Sequence, residues 1–78
     1  MKYETIRAAI ERQPYKPFSI HTGSGGIYPV SHPETILASP VFETVFLKYG
    51  DQQTAIIDLD SIVELTYPTP KPKGKAKA

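Results

Sequence analysis

A chain of 78 residues with no cysteine and a formal net charge of +1 has room for one small domain and little room for an active site enclosed beside its core. Without thiols it has neither a disulfide staple nor a thiolate metal site, so its stability has to come from packing or from association with other chains. The charge is divided: residues 1–70 carry five basic side chains against eight acids, a net of −3, while Lys71, Lys73, Lys75 and Lys77 make the end of the chain basic. An acidic body is a poor platform for phosphate backbones, which weakens a nucleic-acid reading for everything but the tail.

The opening residues do not form a secretory signal, because Glu4, Arg7, Glu11 and Arg12 interrupt any apolar segment. No run approaches the roughly 20 apolar residues that cross a bilayer. The expected location is cytoplasmic, with no membrane association. Tyr3, Ile6, Ala9 and Ile10 recur at helical spacing and predict an amphipathic helix over Tyr3–Gln13, ended by Pro14. Its narrow apolar stripe and mixed charge suit a cover over one open end or face of a sheet better than a membrane-surface helix. Pro14-Tyr15-Lys16-Pro17 then reads as an extended connector.

Phe18–Thr22 and Ile27–His32 form the first expected hairpin around Gly23-Ser24-Gly25-Gly26. Bringing their apolar faces together pairs Ile20 with Val30 and leaves Ser24-Gly25-Gly26 as a three-residue loop. Pro29 then faces His21, and a proline inside a strand implies an edge or a bulge. His21 falls on the outer face and His32 on the inner one, so the two cannot meet on a metal. His32 is expected to be a partly buried residue at the end of the strand, although a histidine beside Pro33 and Glu34 also has the makings of a switch.

Thr35–Ser39 predicts a short strand with Ile36 and Ala38 on one side and Leu37 on the other. Thr44–Tyr49 predicts a longer one that buries Val45, Leu47 and Tyr49. The stretch Thr54–Tyr67 is read as two strands joined by a one-turn corner at Asp60-Ser61, with Ala55, Ile57, Leu59, Ile62, Val63, Leu65 and Tyr67 facing inward. Setting Val45, Leu47 and Tyr49 against Leu59, Ile57 and Ala55 gives the loop Asp51-Gln52-Gln53 and brings Lys48 near Asp58. Phe46 and Ile56 then share the opposite face, with Phe42 just before it. Three apolar side chains on a nominal outer surface need a cover, either the helix or another copy of the chain, and they are the candidate partner-binding residues.

Residues 68–78, PTPKPKGKAKA, have no apolar face and read as a disordered tail outside the domain of residues 1–67. Lys71, Lys73, Lys75 and Lys77 are its candidate contacts to nucleic acid or an acidic partner. No arrangement of residues points to catalysis, a cofactor or a metal. Asp58 and Asp60 lie near one another, but Asp60 is better explained by the corner. Ser24 lacks the strand-to-helix setting of a nucleophile, and the glycine run leads into a strand where a phosphate cradle needs a helix.

Arg12-Gln13-Pro14-Tyr15-Lys16-Pro17-Phe18, Val30-Ser31-His32-Pro33-Glu34 and Ile57-Asp58-Leu59-Asp60-Ser61-Ile62 together resemble a family of short uncharacterised bacterial proteins, with Tyr15 where that family often has phenylalanine. The resemblance implies no activity; it implies that Pro17, Phe18, His32, Pro33 and Glu34 belong to a shared core and turn. Strand, one-turn corner, strand is also similar to the way small SH3-like and Sm-like barrels close. The expected fold is therefore mainly β (α+β), an N-terminal helix followed by a five-stranded, strongly bent antiparallel sheet closing into a small barrel of that kind. The expected function is a non-enzymatic interaction or scaffold module that binds a second copy or a protein partner. The alternative is a nucleic-acid-associated accessory protein acting through the lysine tail.

Overall fold

Alternating apolar residues on short strands have to meet other such faces to leave water, and the chain does this with two small sheets and a helix. A computed structural model describes residues 1–68. In it, helix α1 (Tyr3–Glu11) is followed by β1 (Phe18–Thr22), β2 (Ile27–Val30), a 3₁₀ turn at Pro33–Thr35, β3 (Ile36–Ser39), β4 (Thr44–Tyr49), β5 (Gln53–Asp58), a second 3₁₀ turn at Leu59–Ser61, and β6 (Ile62–Thr66). One antiparallel sheet has the order β2-β1-β6 and the other β3-β4-β5. The candidate lysines of the tail lie outside the described residues.

The expected β-rich chain with an N-terminal helix is present, but among the described residues six strands form two antiparallel sheets without a closed barrel, in place of the expected five-stranded barrel. The reason is local. Pro29 has no amide to donate and Pro33 opens a 3₁₀ turn, so β2 stops at Val30 and the chain leaves the first sheet before β3 starts the second at Ile36. The last strand does return to the first, β6 pairing with β1.

The core lies between the sheets. Phe18, Ile20, Val30, Val45, Leu47, Ile57, Leu59 and Ile62 are buried together with Ile6 and Ala9 of α1. The helix is two residues shorter at its C-terminal end than expected, stopping at Glu11 with Arg12 already extended. Tyr28 of β2 and Tyr49 of β4 meet edge to face, with ring centroids 5.4 Å apart, and tie the two sheets at one side. Tyr15, Phe18 and Tyr67 stack in a second aromatic group, and the Tyr15 hydroxyl donates to the Val30 carbonyl at 2.8 Å.

Both hairpins sit two residues from their expected register. In the first, Ile20 opposes Tyr28, Phe18 opposes Val30, and Pro29 faces Ser19 instead of His21. The loop is Gly23-Ser24-Gly25, closed by the Thr22 amide on the Gly26 carbonyl (2.9 Å) and by the Gly26 amide on the Thr22 hydroxyl (3.0 Å). Gly25, at φ +98°, takes the left-handed position, and a Cβ on Gly26 would lie 2.9 Å from Thr22 Oγ1. In the second, Val45 opposes Ile57, Leu47 opposes Ala55 and Tyr49 opposes Gln53, with Gly50 and Gln52 at positive φ in the loop. Lys48 accordingly opposes Thr54 and is not beside Asp58, which opposes Thr44.

Three inward expectations fail, at His32, Val63 and Tyr67. His32 is exposed, since the chain has left the sheet there; its carbonyl accepts from the Thr35 amide and hydroxyl at the 3₁₀ turn. Val63 is 61% exposed. Thr22 opposes Ile62 while His21 opposes Glu64, so Val63 is the extra residue of a β-bulge and breaks the alternation. Beyond the bulge Leu65 turns back toward the core, and Tyr67 lies half out at the domain edge, against Phe18.

The bulge sets an expectation for mutants. Ile62→Ala should lower unfolding free energy by about 2–5 kcal/mol, and Val63→Ala by less than about 0.5 kcal/mol, in chemical denaturation; comparable losses at both would place Val63 inside. Tyr15→Phe should cost about 0.5–1.5 kcal/mol by removing its hydrogen bond. Burial, and then Tyr67, hold the Tyr15 phenol above its ordinary value of 10.0. Folding thus favours the neutral phenol, a contribution intact below about pH 10 and lost as pH rises beyond it. The wild type should lose more stability than Tyr15→Phe between neutral and strongly alkaline pH, and parallel curves would contradict this.

Candidate interaction surface

The face of the β3-β4-β5 sheet that looks away from the core carries three rows of side chains, set by register. Leu37 opposes Phe46, and Phe46 opposes Ile56, so these three stand side by side across all three strands. Ser39, Thr44 and Asp58 form the row on one side, and Lys48 and Thr54 belong to the row on the other. Leu37 is 65% exposed and Ile56 73% exposed, with Phe46 half-buried between them. The outer face thus carries an apolar row held between polar rows, the kind of exposed patch that makes it the candidate interaction surface.

Phe42 sits on the β3–β4 turn, beyond the Ser39–Thr44–Asp58 row, where it is 71% exposed beside an exposed Val41. Its backbone is fixed on both sides. The Phe42 amide donates to the Ser39 hydroxyl (3.2 Å), and its carbonyl accepts from the buried Thr44 hydroxyl (2.7 Å). Glu43 follows at φ 52°, and its carbonyl accepts the Leu59 amide at 2.9 Å, joining the turn to the corner between β5 and β6. An exposed aromatic on a turn held this firmly loses little backbone freedom on binding.

Of the three expected patch residues, Phe46 and Ile56 stand side by side in the row, while Phe42 lies on the β3–β4 turn beyond Ser39 and Thr44. Leu37, which completes the row, was assigned to the outer face by alternation but needed the β3–β4 register to be placed beside Phe46. The helix does not cover this face: Ile6 and Ala9 enter the core, and Leu37 and Ile56 stay exposed.

A second surface runs between α1 and β6, lined by Ala8, Arg12, Val63, Leu65 and Tyr67. At its end the Arg12 guanidinium lies over the Tyr67 ring, 5.4 Å from the centroid, with Lys16 and Pro17 adjoining where the chain leaves β6.

The polar residues considered for chemistry are placed apart. His21 Nε2, on β1, is 2.9 Å from Thr66 Oγ1, whereas His32 lies in the link between β2 and β3, just before the Pro33–Thr35 turn. Ser24 Oγ lies 3.1 Å from Thr22 Oγ1 inside the hairpin loop. Asp58 ends β5 and Asp60 sits in the corner turn. Among the described residues no group of three or more histidines and acids is arranged to hold a metal ion, and no helix is long and apolar enough to cross a membrane. No family model, curated protein or solved structure matches the chain.

Proposed function

We propose that this protein is a non-enzymatic interaction module, a variation on the two-sheet plan of small SH3-like and Sm-like domains, that binds through the outer face of its β3-β4-β5 sheet and self-associates there. The observation that carries this reading is the unbroken row Leu37–Phe46–Ile56 on the outer face of the sheet, with Leu37 and Ile56 exposed. Covering a leucine, isoleucine or phenylalanine side chain fully stabilises by about 1.5–3 kcal/mol. A few such residues on a chain this small are enough to drive association once the entropy of docking is met. The resemblance to short bacterial proteins concerns core and turn residues and is consistent with a shared scaffold.

Sedimentation equilibrium tests the reading. The weight-average mass should rise above 8.7 kDa with concentration, and Ile56→Glu should return it to the monomer value with the fold retained, because the side chain is exposed and its loss costs little stability. A wild-type chain that stays monomeric into the millimolar range would contradict self-association.

A second reading rests on the other surface. Arg12, Lys16 and Tyr67 gather where the chain passes from β6 toward Lys71, Lys73, Lys75 and Lys77. Cations beside an aromatic ring suit a single-stranded nucleic acid, whose phosphates and bases they would meet together. Binding to a generic single strand should then weaken steeply with salt and fall when residues 71–78 are removed. Salt-insensitive binding, or none, would end that reading.

A further inference from the structure

We infer that the surface takes a second copy of this chain in one orientation, with a two-fold axis running along the Leu37–Phe46–Ile56 row. This rests on the reading of the outer face as a self-association surface and adds the pose of the second copy and the charges that set it.

Two copies meeting face to face through the same surface are related by an axis lying in the interface, and with the strands of the two copies aligned and Phe46 at the centre this axis runs either along the row or along β4. The charges decide between them. Lys48 lies on one side of the apolar row and Asp58 on the other, on β4 and β5 respectively. An axis along the strands sets Lys48 over the partner's Lys48, two like charges brought together out of water. An axis along the row exchanges the two polar rows instead. Lys48 then stands over the partner's Thr44, whose cross-strand neighbour is Asp58, and the long lysine stem spans the one-strand offset.

The remaining features fit the same choice. Among the described residues the single ion pair is Arg7–Glu11, on the helix, so neither Lys48 nor Asp58 is engaged within the described fold. Glu34 lies near Lys48 at the β3 side, and the row axis sets it toward the partner's Ser39 side rather than toward Asp58. Phe42, at the end of the sheet beyond Ser39 and Thr44, is carried to the other end of the partner's sheet, where Thr35, Leu37, Phe46 and Lys48 line a shallow depression. Leu37, Phe46 and Ile56 meet their own counterparts, with the two sheets offset by the roughly 30° that sheet twist imposes.

Charge exchange tests the orientation on the full chain. Lys48→Glu and Asp58→Lys should each weaken the dimer about tenfold, because the symmetry reverses two contacts at once. The double variant Lys48→Glu/Asp58→Lys should bring the dissociation constant back to within about threefold of wild type. Asp58 makes no side-chain capping bond at the corner turn, and Lys48 is exposed, so thermal unfolding should show all three variants folded. Single reversals without effect, alongside dissociation by Ile56→Glu, would overturn the orientation and leave the surface standing. Weakened singles that the double variant does not rescue would overturn the Lys48–Asp58 contact. A wild-type chain monomeric at every concentration would remove the second copy as occupant and, with it, the self-association on which this inference rests.

Discussion

Strict alternation of side chains along a strand is the constraint on which this molecule depends. With Val45 and Leu47 of β4 directed into the core at 0% exposure, Phe46 between them has to face the other way, and the same rule sends Leu37 and Ile56 outward on the neighbouring strands. The core therefore creates the outer row: the chain cannot bury more of β3, β4 and β5 against its own helix, which is already committed to the inside through Ile6 and Ala9. What remains outside is apolar, contiguous and flanked by polar residues. The core and the proposed contact surface thus occupy opposite faces of one sheet.

The same constraint explains what was legible in the sequence. Both hairpins were placed two residues away from their true pairing, yet their faces came out correctly, because a slip of two leaves every side chain on its own side whereas a slip of one would turn them all over. The loops themselves were ambiguous. The run Gly23-Ser24-Gly25-Gly26 can close around either of two triplets, and the left-handed Gly25 together with the Thr22 hydroxyl on the Gly26 amide selects one. In the second loop a glutamine, Gln52, adopts positive φ, which residue type alone does not signal. Sequence reasoning failed where alternation itself fails. The bulge between β1 and β6 ejects Val63, and the Pro33 turn takes His32 out of the sheet.

The corner between the sheets links these features to the candidate surface. Leu59 ends the buried series of β5, its amide reaches the Glu43 carbonyl in the β3–β4 turn, and the Ser61 carbonyl accepts the Gly23 amide from the first hairpin. One short 3₁₀ turn thereby holds both sheets and the turn that displays Phe42. The sequence revealed this corner through its polar Asp60-Ser61 pair between two apolar runs. It did not reveal Leu37 as part of the patch, because that requires knowing which residue of β4 stands opposite.

The central claim is that the outer row Leu37–Phe46–Ile56 is where one copy of the chain meets another. The most direct measurement is an isotope-filtered nuclear Overhauser experiment on an equimolar mixture of labelled and unlabelled protein, which detects only contacts between copies. Cross-peaks between the Phe46 ring of one copy and the Leu37 and Ile56 methyls of another are the expected result. Intermolecular cross-peaks confined to Val63, Leu65 and Tyr67 on the α1–β6 side, or none at millimolar concentration, would contradict it.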